Sequence, residues 1–163
     1  MPALARQITP FLWFDHNAEA AVANYVTIFP NSKVKATTKY SKEAAQASGQ
    51  PEGSLMTIAF ELDGQDFTAI NGGPAFKFNE SVSFVIHCRD QKEIDYYWNK
   101  LSQGGVEQAQ MCGWLKDRYG LSWQVVPDRL NQLMSASGKS GRVMAAILKM
   151  KKIDLATLEQ AAG

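Results

Sequence analysis

Histidine and cysteine are scarce in this chain, with two of each among 163 residues. The cysteines, Cys88 and Cys112, stand far apart, which argues against a disulfide framework and for reduced thiols. Charge of one sign is lacking too. The formal net charge is +1 and no basic run stands out, so nucleic acid is excluded as an expected partner. No apolar run is long enough to span a bilayer, which excludes a membrane-spanning segment. The start, Met-Pro-Ala-Leu-Ala-Arg-Gln, lacks the charged opening and long apolar stretch of a signal peptide, so the expected location is the cytoplasm.

What remains has the composition of a soluble globular protein, 45% hydrophobic and 20% charged, in a length sufficient for one domain with a substantial core. The most organised stretch runs from Cys112 to Pro127. It reads as a strand over Met111 to Lys116, a turn at Asp117-Arg118-Tyr119-Gly120, and a strand over Leu121 to Val126. Alternation puts Leu121, Trp123 and Val125 on one face, suited to packing under helices. Ser122, Gln124 and Val126 share the other face, suited to lining a concave surface.

Before this hairpin the pattern occurs twice. A strand over Gln7 to Asp15 is followed by a helix from Asn17, an N-cap residue, to about Phe29, with Ala18, Ala21, Val22, Tyr25 and Phe29 at helical spacing. Three strands follow at Lys33 to Tyr40, Leu55 to Leu62 and Phe67 to Asn71. Asp63-Gly64 joins the last two, and a polar loop with one helical turn at Lys42 to Gln46 lies between the first two. The order then recurs. A strand spans Ser81 to Cys88, and a capping box at Asp90 and Glu93 opens a helix with Ile94, Tyr97, Trp98 and Leu101 at i, i+3, i+4 and i+7. Gly104-Gly105 stops that helix, Val106 to Gln110 reads as a short strand, and the hairpin closes the unit. An offset of about 73 residues superposes Asn17 on Asp90 and Tyr25 on Trp98. Beyond Pro127 the chain reads as helical at Asp128 to Met134, Gly141 to Lys151, and after the cap Asp154. The expected class is α+β, in one domain over residues 1–163. Module one covers about 7–74, module two about 81–127, and C-terminal helices 128–163.

Three segments carry a family resemblance. The first is Ile8-Thr9-Pro10-Phe11-Leu12-Trp13-Phe14 with Asn17 to Ala21, Tyr25 and Phe29-Pro30-Asn31-Ser32. The second is Asn71-Gly72-Gly73 with Phe76, Asn79, Ser81 and Ser83. The third is Asp117 to Gln124 with Val126-Pro127. Together they resemble the PhnB-like branch of the vicinal oxygen chelate superfamily, which includes glyoxalase I, bleomycin-resistance proteins and extradiol dioxygenases. Many members of that branch carry the label 3-demethylubiquinone 3-methyltransferase. The resemblance implies two βαβββ modules whose open, curled sheets enclose cavities. It also implies a homodimer, and a ligand set on the first and last strands of each module. By strand order those positions fall near Thr9, Asn71, Ser83 and Gln124. Divalent metals want imidazole, carboxylate or thiolate, and this set brings no charge, so no tight metal and no cofactor are expected. The methyltransferase label is not supported by the residues. Asn71-Gly72-Gly73-Pro74 does not form the Gly-rich strand-to-helix turn of a Rossmann-type cofactor site.

The expected ligand-binding residues are Thr9, Phe11, Trp13, Asn71, Ser83, Ser122 and Gln124. Gln124 either orients a ligand or makes a structural bond to Asn71 or to backbone. Trp13 either floors a pocket or is core. His87, on a face with Ser83 and Val85, is the one plausible general base, against the reading of a satisfied wall residue. Cys112 is a nucleophile or a buried thiol, and nothing local supplies the base a nucleophile needs. His16 reads as a solvent-facing residue before a helix. Asp117 and Arg118 read as turn residues, although an arginine at a cavity mouth could hold an anionic ligand. Three functions fit: an enzyme acting on a small oxygenated or aromatic metabolite without a tight metal, a protein that sequesters a small hydrophobic compound, or a metal-dependent lyase or dioxygenase. Each implies a small-molecule partner.

Overall fold

In the computed structural model, residues 8–135 and 140–163 are described. The expected strand start at Gln7 and the reading of the first seven residues lie outside them. The chain divides into two compact units, Met1–Lys77 and Phe78–Gly163.

The first unit contains β1 (Phe11–Phe14), α1 (Ala18–Ile28), β2 (Lys33–Lys39), α2 (Lys42–Ser48), β3 (Leu55–Leu62) and β4 (Gln65–Asn71). Its sheet has the order β1-β4-β3-β2, with β1 parallel to β4 and the other pairs antiparallel. Strand alternation sends Leu12, Phe14, Ile58, Phe60, Leu62, Phe67 and Ala69 to the buried face. There α1 contributes Ala18, Ala21, Val22, Tyr25 and Ile28. The Asp63-Gly64 hairpin forms as its dipeptide dictates, with φ of 45° and 80° at the two residues. Two local expectations are corrected. Strand β1 opens at Phe11, so Ile8, Thr9 and Pro10 of the expected strand precede it. Asn17 occupies the N-cap position of α1 but makes no side-chain cap bond. The Ala18 N–H instead donates 2.8 Å to Asn71 Oδ1, from the end of β4.

The second unit contains β5 (Phe84–Cys88), α3 (Gln91–Ser102), β6 (Trp114–Lys116), β7 (Ser122–Pro127), α4 (Leu130–Ser135), α5 (Ser140–Ile147) and α6 (Leu155–Ala162). Its sheet has the order β5-β7-β6, with β5 parallel to β7 and β6 antiparallel to it. The repeat is therefore topological: in each unit the first strand runs parallel to the last. It is also metrical. β5 opens at Phe84 and α3 at Gln91, each 73 positions after Phe11 of β1 and Ala18 of α1. Here the cap forms as expected, with Asp90 Oδ1 accepting from the Glu93 N–H at 2.9 Å. Neither sheet closes into a barrel among the described residues.

The second unit departs from the expected strands in three places. The strand expected from Ser81 begins at Phe84, so Ser83 precedes β5. Val106 to Gln110 holds a 3₁₀ turn, Glu107–Ala109, because its amides bond locally, Ala109 N–H to Val106 O and Gln110 N–H to Glu107 O. The hairpin arm starts at Trp114 rather than Met111. Cys112 and Gly113 carry φ of 56° and 82°, so the backbone turns there and leaves Met111 only an isolated bridge to Trp114.

Candidate functional site

Asp117 sets the geometry of the closing hairpin. Its side chain is buried. Oδ1 accepts the Tyr119 and Leu121 N–H groups at 2.8 and 3.0 Å, and Oδ2 accepts the Trp123 indole N–H at 2.9 Å. The carboxylate fixes both the turn and the parity of β7. Leu121, Trp123 and Val125 are buried on one face, and α3 supplies Ile94, Trp98 and Leu101 to the same core. The opposite face of β7 carries Ser122, Gln124 and Val126.

On that face Gln124 stands opposite Trp114 of β6 and Val85 of β5. Its Nε2 donates 2.8 Å to Ser83 Oγ. Gln124 also forms one wall of a cavity of about 460 Å³ lined by Glu80, Ala109, Met111, Cys112, Trp114 and Gln124. Apolar side chains supply most of the wall. At one edge Lys116 Nζ donates to Glu80 Oε1, and this hydrogen bond holds the Glu80 carboxyl below its usual range. The C-terminal helices anchor the opposite edge. The Cys112 and Gly113 N–H groups donate to Met150 O and Lys151 O at 2.7 and 2.8 Å, so the segment joining α5 to α6 fixes the Met111–Cys112 wall.

The expected site residues separate into several environments. Ser83 and Gln124 are joined directly. Ser122 is fully buried on the Gln124 face, and its Oγ has no hydrogen-bond partner among the described residues. His87 lies exposed opposite Val126 and is not one of the cavity-lining residues. In the first unit Thr9 and Phe11 are exposed and Trp13 is half-buried. The Trp13 indole donates 2.9 Å to Gly73 O and meets the Phe76 ring edge-on at 5.0 Å. Gly72 lies against that indole, where a Cβ would come within 2.2 Å of Trp13 Cζ2.

Asn71 turns to the helix side of its sheet. Besides capping α1, its Nδ2 donates to Glu19 Oε2 at 2.8 Å, and its carbonyl accepts from Tyr40 Oη at 2.7 Å. Its amide is thus committed to the fold. Gln124 bonds Ser83, not Asn71. The residues expected at the ligand positions of the resemblance therefore fit a metal poorly: Asn71 is occupied by α1, and Ser83 and Gln124 satisfy each other. Among the described residues no group of three or more His, Cys, Asp or Glu side chains could hold a metal ion.

Of the remaining candidates, Cys88 is a core thiol pushed up to about 12, chiefly by burial and then by the Glu93, Asp90 and Asp128 carboxylates. Arg118 donates 3.0 Å to Gln103 O and ties the turn to the end of α3. His16 is exposed and pairs with Asp15 at 3.3 Å. Reasoning from the sequence missed Glu80, Ala109, Met111 and Trp114 as wall residues. Only the cross-strand register of Trp114 with Gln124 could have brought one of them in.

A β1-helix-strand unit repeated with its first and last strands parallel, on open sheets with a cavity beside the final strand, defines the glyoxalase-like class of the vicinal oxygen chelate superfamily. Within that class the chain belongs to the PhnB-like family: residues 6–126 match the family described as 3-demethylubiquinone-9 3-methyltransferase. Among solved structures it is similar to a protein of Bacillus cereus described as a putative 3-demethylubiquinone-9 3-methyltransferase, PhnB protein. The identity is 30%, the match covers 74% of this chain and 99% of that one, and the TM-score is 0.63. It also resembles in fold a protein from Pseudomonas aeruginosa at 22% identity, covering 76% and 98% of the two chains with a TM-score of 0.59. The fosfomycin resistance protein FosX of Listeria monocytogenes shares the fold at 10% identity, covering 80% and 98% with a TM-score of 0.56. No curated protein matches the chain at a significant level. No helix among the described residues is long and apolar enough to cross a membrane.

Proposed function

We propose that the second unit binds a small, largely apolar molecule in the cavity beside β7, with the Gln124 amide setting its orientation. One observation carries this reading. Gln124 is the only residue of β7 that is not buried, and it forms a wall of a cavity otherwise dominated by Met111, Trp114, Ala109 and Cys112. An apolar cavity with few polar groups is what small-molecule recognition requires. Sequestration is supported over catalysis. His87, the imidazole expected as a base, lies outside the cavity wall, and Glu80 in that wall is engaged by Lys116, which makes it a poor proton acceptor.

Methyl transfer, named for the family and for the Bacillus cereus relative, is not adopted for this chain. The strand-to-helix turns, Asp15-His16-Asn17 and Arg89-Asp90, contain no glycine to let a cofactor's ribose or amino-acid end approach the backbone. Calorimetry is expected to find no binding of S-adenosylmethionine, and micromolar binding would restore the methyltransferase reading.

A thermal-shift screen of apolar and aromatic metabolites tests the cavity, because a ligand that binds only the folded chain raises its melting temperature. Gln124→Leu is the decisive variant. It removes the amide and leaves Ser83 Oγ unpaired, at a cost of about 1–3 kcal/mol that leucine burial partly offsets. The fold is expected to survive while affinity for a screened ligand falls about tenfold or more. Unchanged affinity would place the ligand elsewhere.

A further inference from the structure

The polar end of the cavity has its own electrostatic logic, and it deepens the binding reading on which it rests. Lys116 and Glu80 are paired but unequally placed: the lysine side chain is 19% exposed and the glutamate 60%. Lys116 sits on β6, in register with Ser122 of β7. Glu80 belongs to no helix or strand and precedes the exposed Ser81 and Val82. The cation is therefore the built part of the pair and the carboxylate the removable part. The stem of Lys116 is largely covered while the glutamate stands in solvent, so the ammonium group keeps its place whichever carboxylate it holds.

A second polar group lies on the same face. Lys116 is in register with Ser122, and two residues further along β7 Gln124 carries an amide at the cavity wall, bonded to Ser83 Oγ. Glu80 and Gln124 are thus the polar residues of this corner of the wall, and Met111 and Trp114 supply apolar surface beside them.

We infer that this corner is an anion subsite: the cavity takes a small molecule with a flat apolar body and one carboxylate, and that carboxylate replaces Glu80 on Lys116 Nζ. A carboxylate is the fitting anion because a carboxylate already occupies the position. Glu80 acts as an internal stand-in that competes with the ligand. The apolar body lies along Met111 and Trp114.

The probes are 2-naphthoate and its neutral counterpart 2-naphthamide, measured by calorimetry on the full chain. Where Glu80 does not compete, in Glu80→Gln, the carboxylate is expected to bind about tenfold more tightly than the amide, the difference of one charge-assisted hydrogen bond, and the wild type shows a smaller preference because that bond is exchanged for the one to Glu80. Glu80→Gln removes the competitor. It should tighten naphthoate binding several-fold relative to any change in naphthamide binding. Lys116→Met keeps the alkyl stem and should abolish the preference. Thermal melts establish that each variant is folded, and Glu80→Gln, at an exposed position, remains informative if Lys116→Met is not. Equal affinity of Glu80→Gln for the two probes, or no tightening of naphthoate binding relative to naphthamide in Glu80→Gln, overturns the anion subsite while leaving the cavity as a binding site. Failure of the wild type and of Glu80→Gln to bind either probe overturns the subsite together with the cavity reading.

Discussion

Trp123→Ala is expected to cost about 3–5 kcal/mol of folding stability, read as a large drop in the urea midpoint. The indole is 3% exposed and approaches the Phe84 ring at 5.7 Å, so truncation opens a void that the neighbouring strands cannot fill without moving β7. It also takes the indole N–H away from Asp117 Oδ2, and a buried carboxylate oxygen that loses its donor adds to the loss. Trp123→Phe is the milder variant. It keeps an aromatic ring in the core, loses the N–H and part of the bicycle, and should cost less than Trp123→Ala, about 1–3 kcal/mol. The contrast with Gln124→Leu, one residue along on the opposite face, tests the parity of the strand. If Gln124→Leu unfolds the chain while Trp123→Ala is harmless, β7 presents the opposite face to the cavity and the wall described above is wrong.

Gly105→Ala is expected to be nearly as damaging, for a different reason. A Cβ at Gly105 would stand 2.2 Å from the Lys116 carbonyl oxygen and 3.3 Å from backbone atoms of Asp117. No flexible side chain is available to yield. Either the segment after α3 or β6 itself must shift, and overpacking of this kind costs about 1–3 kcal/mol or more. The same shift would carry the Glu107–Ala109 turn, and with it the Ala109 wall, away from β6, so ligand affinity should fall along with stability. Gly141→Ala is the control: a Cβ there meets nothing within 4 Å, and alanine favours the helix by about 1 kcal/mol. A Gly105→Ala midpoint equal to that of the wild type would mean that this close approach does not exist in solution.

Much of the architecture could be read from the sequence because it rests on local physics. The Asp63-Gly64 hairpin, the Asp90 cap, the apolar stripe of α3 and the alternation of β7 each depend on residues close together in the chain, and the 73-residue repeat is a recurrence of such local patterns. The same locality explains the errors. At Val106 to Gln110 a β-branched residue suggested a strand. Nothing nearby revealed that Gly105 would be pressed against the Lys116 carbonyl, or that the next amides would close on themselves.

The site divides along the same line. The sequence by itself determined that Gln124 would share a strand face with Ser122 and leave the Trp123 face, since a period of two admits no other arrangement once the turn at Gly120 is placed. Tertiary structure decided what surrounds that face. Asn71 and Gln124 are both amides on final strands, and strand order alone gave them equivalent roles, although Asn71 ends β4 and Gln124 lies within β7. α1 claims the first through its unsatisfied Ala18 N–H, whereas Ser83 meets the second and leaves it at a cavity wall. Glu80 was a loop residue until Lys116 came within reach, and Cys112 an ordinary thiol until Met150 and Lys151 fixed its turn. These contacts join residues tens of positions apart. Which partner satisfies a buried donor or charge depends on which segments meet in space, and spacing along the chain does not encode that.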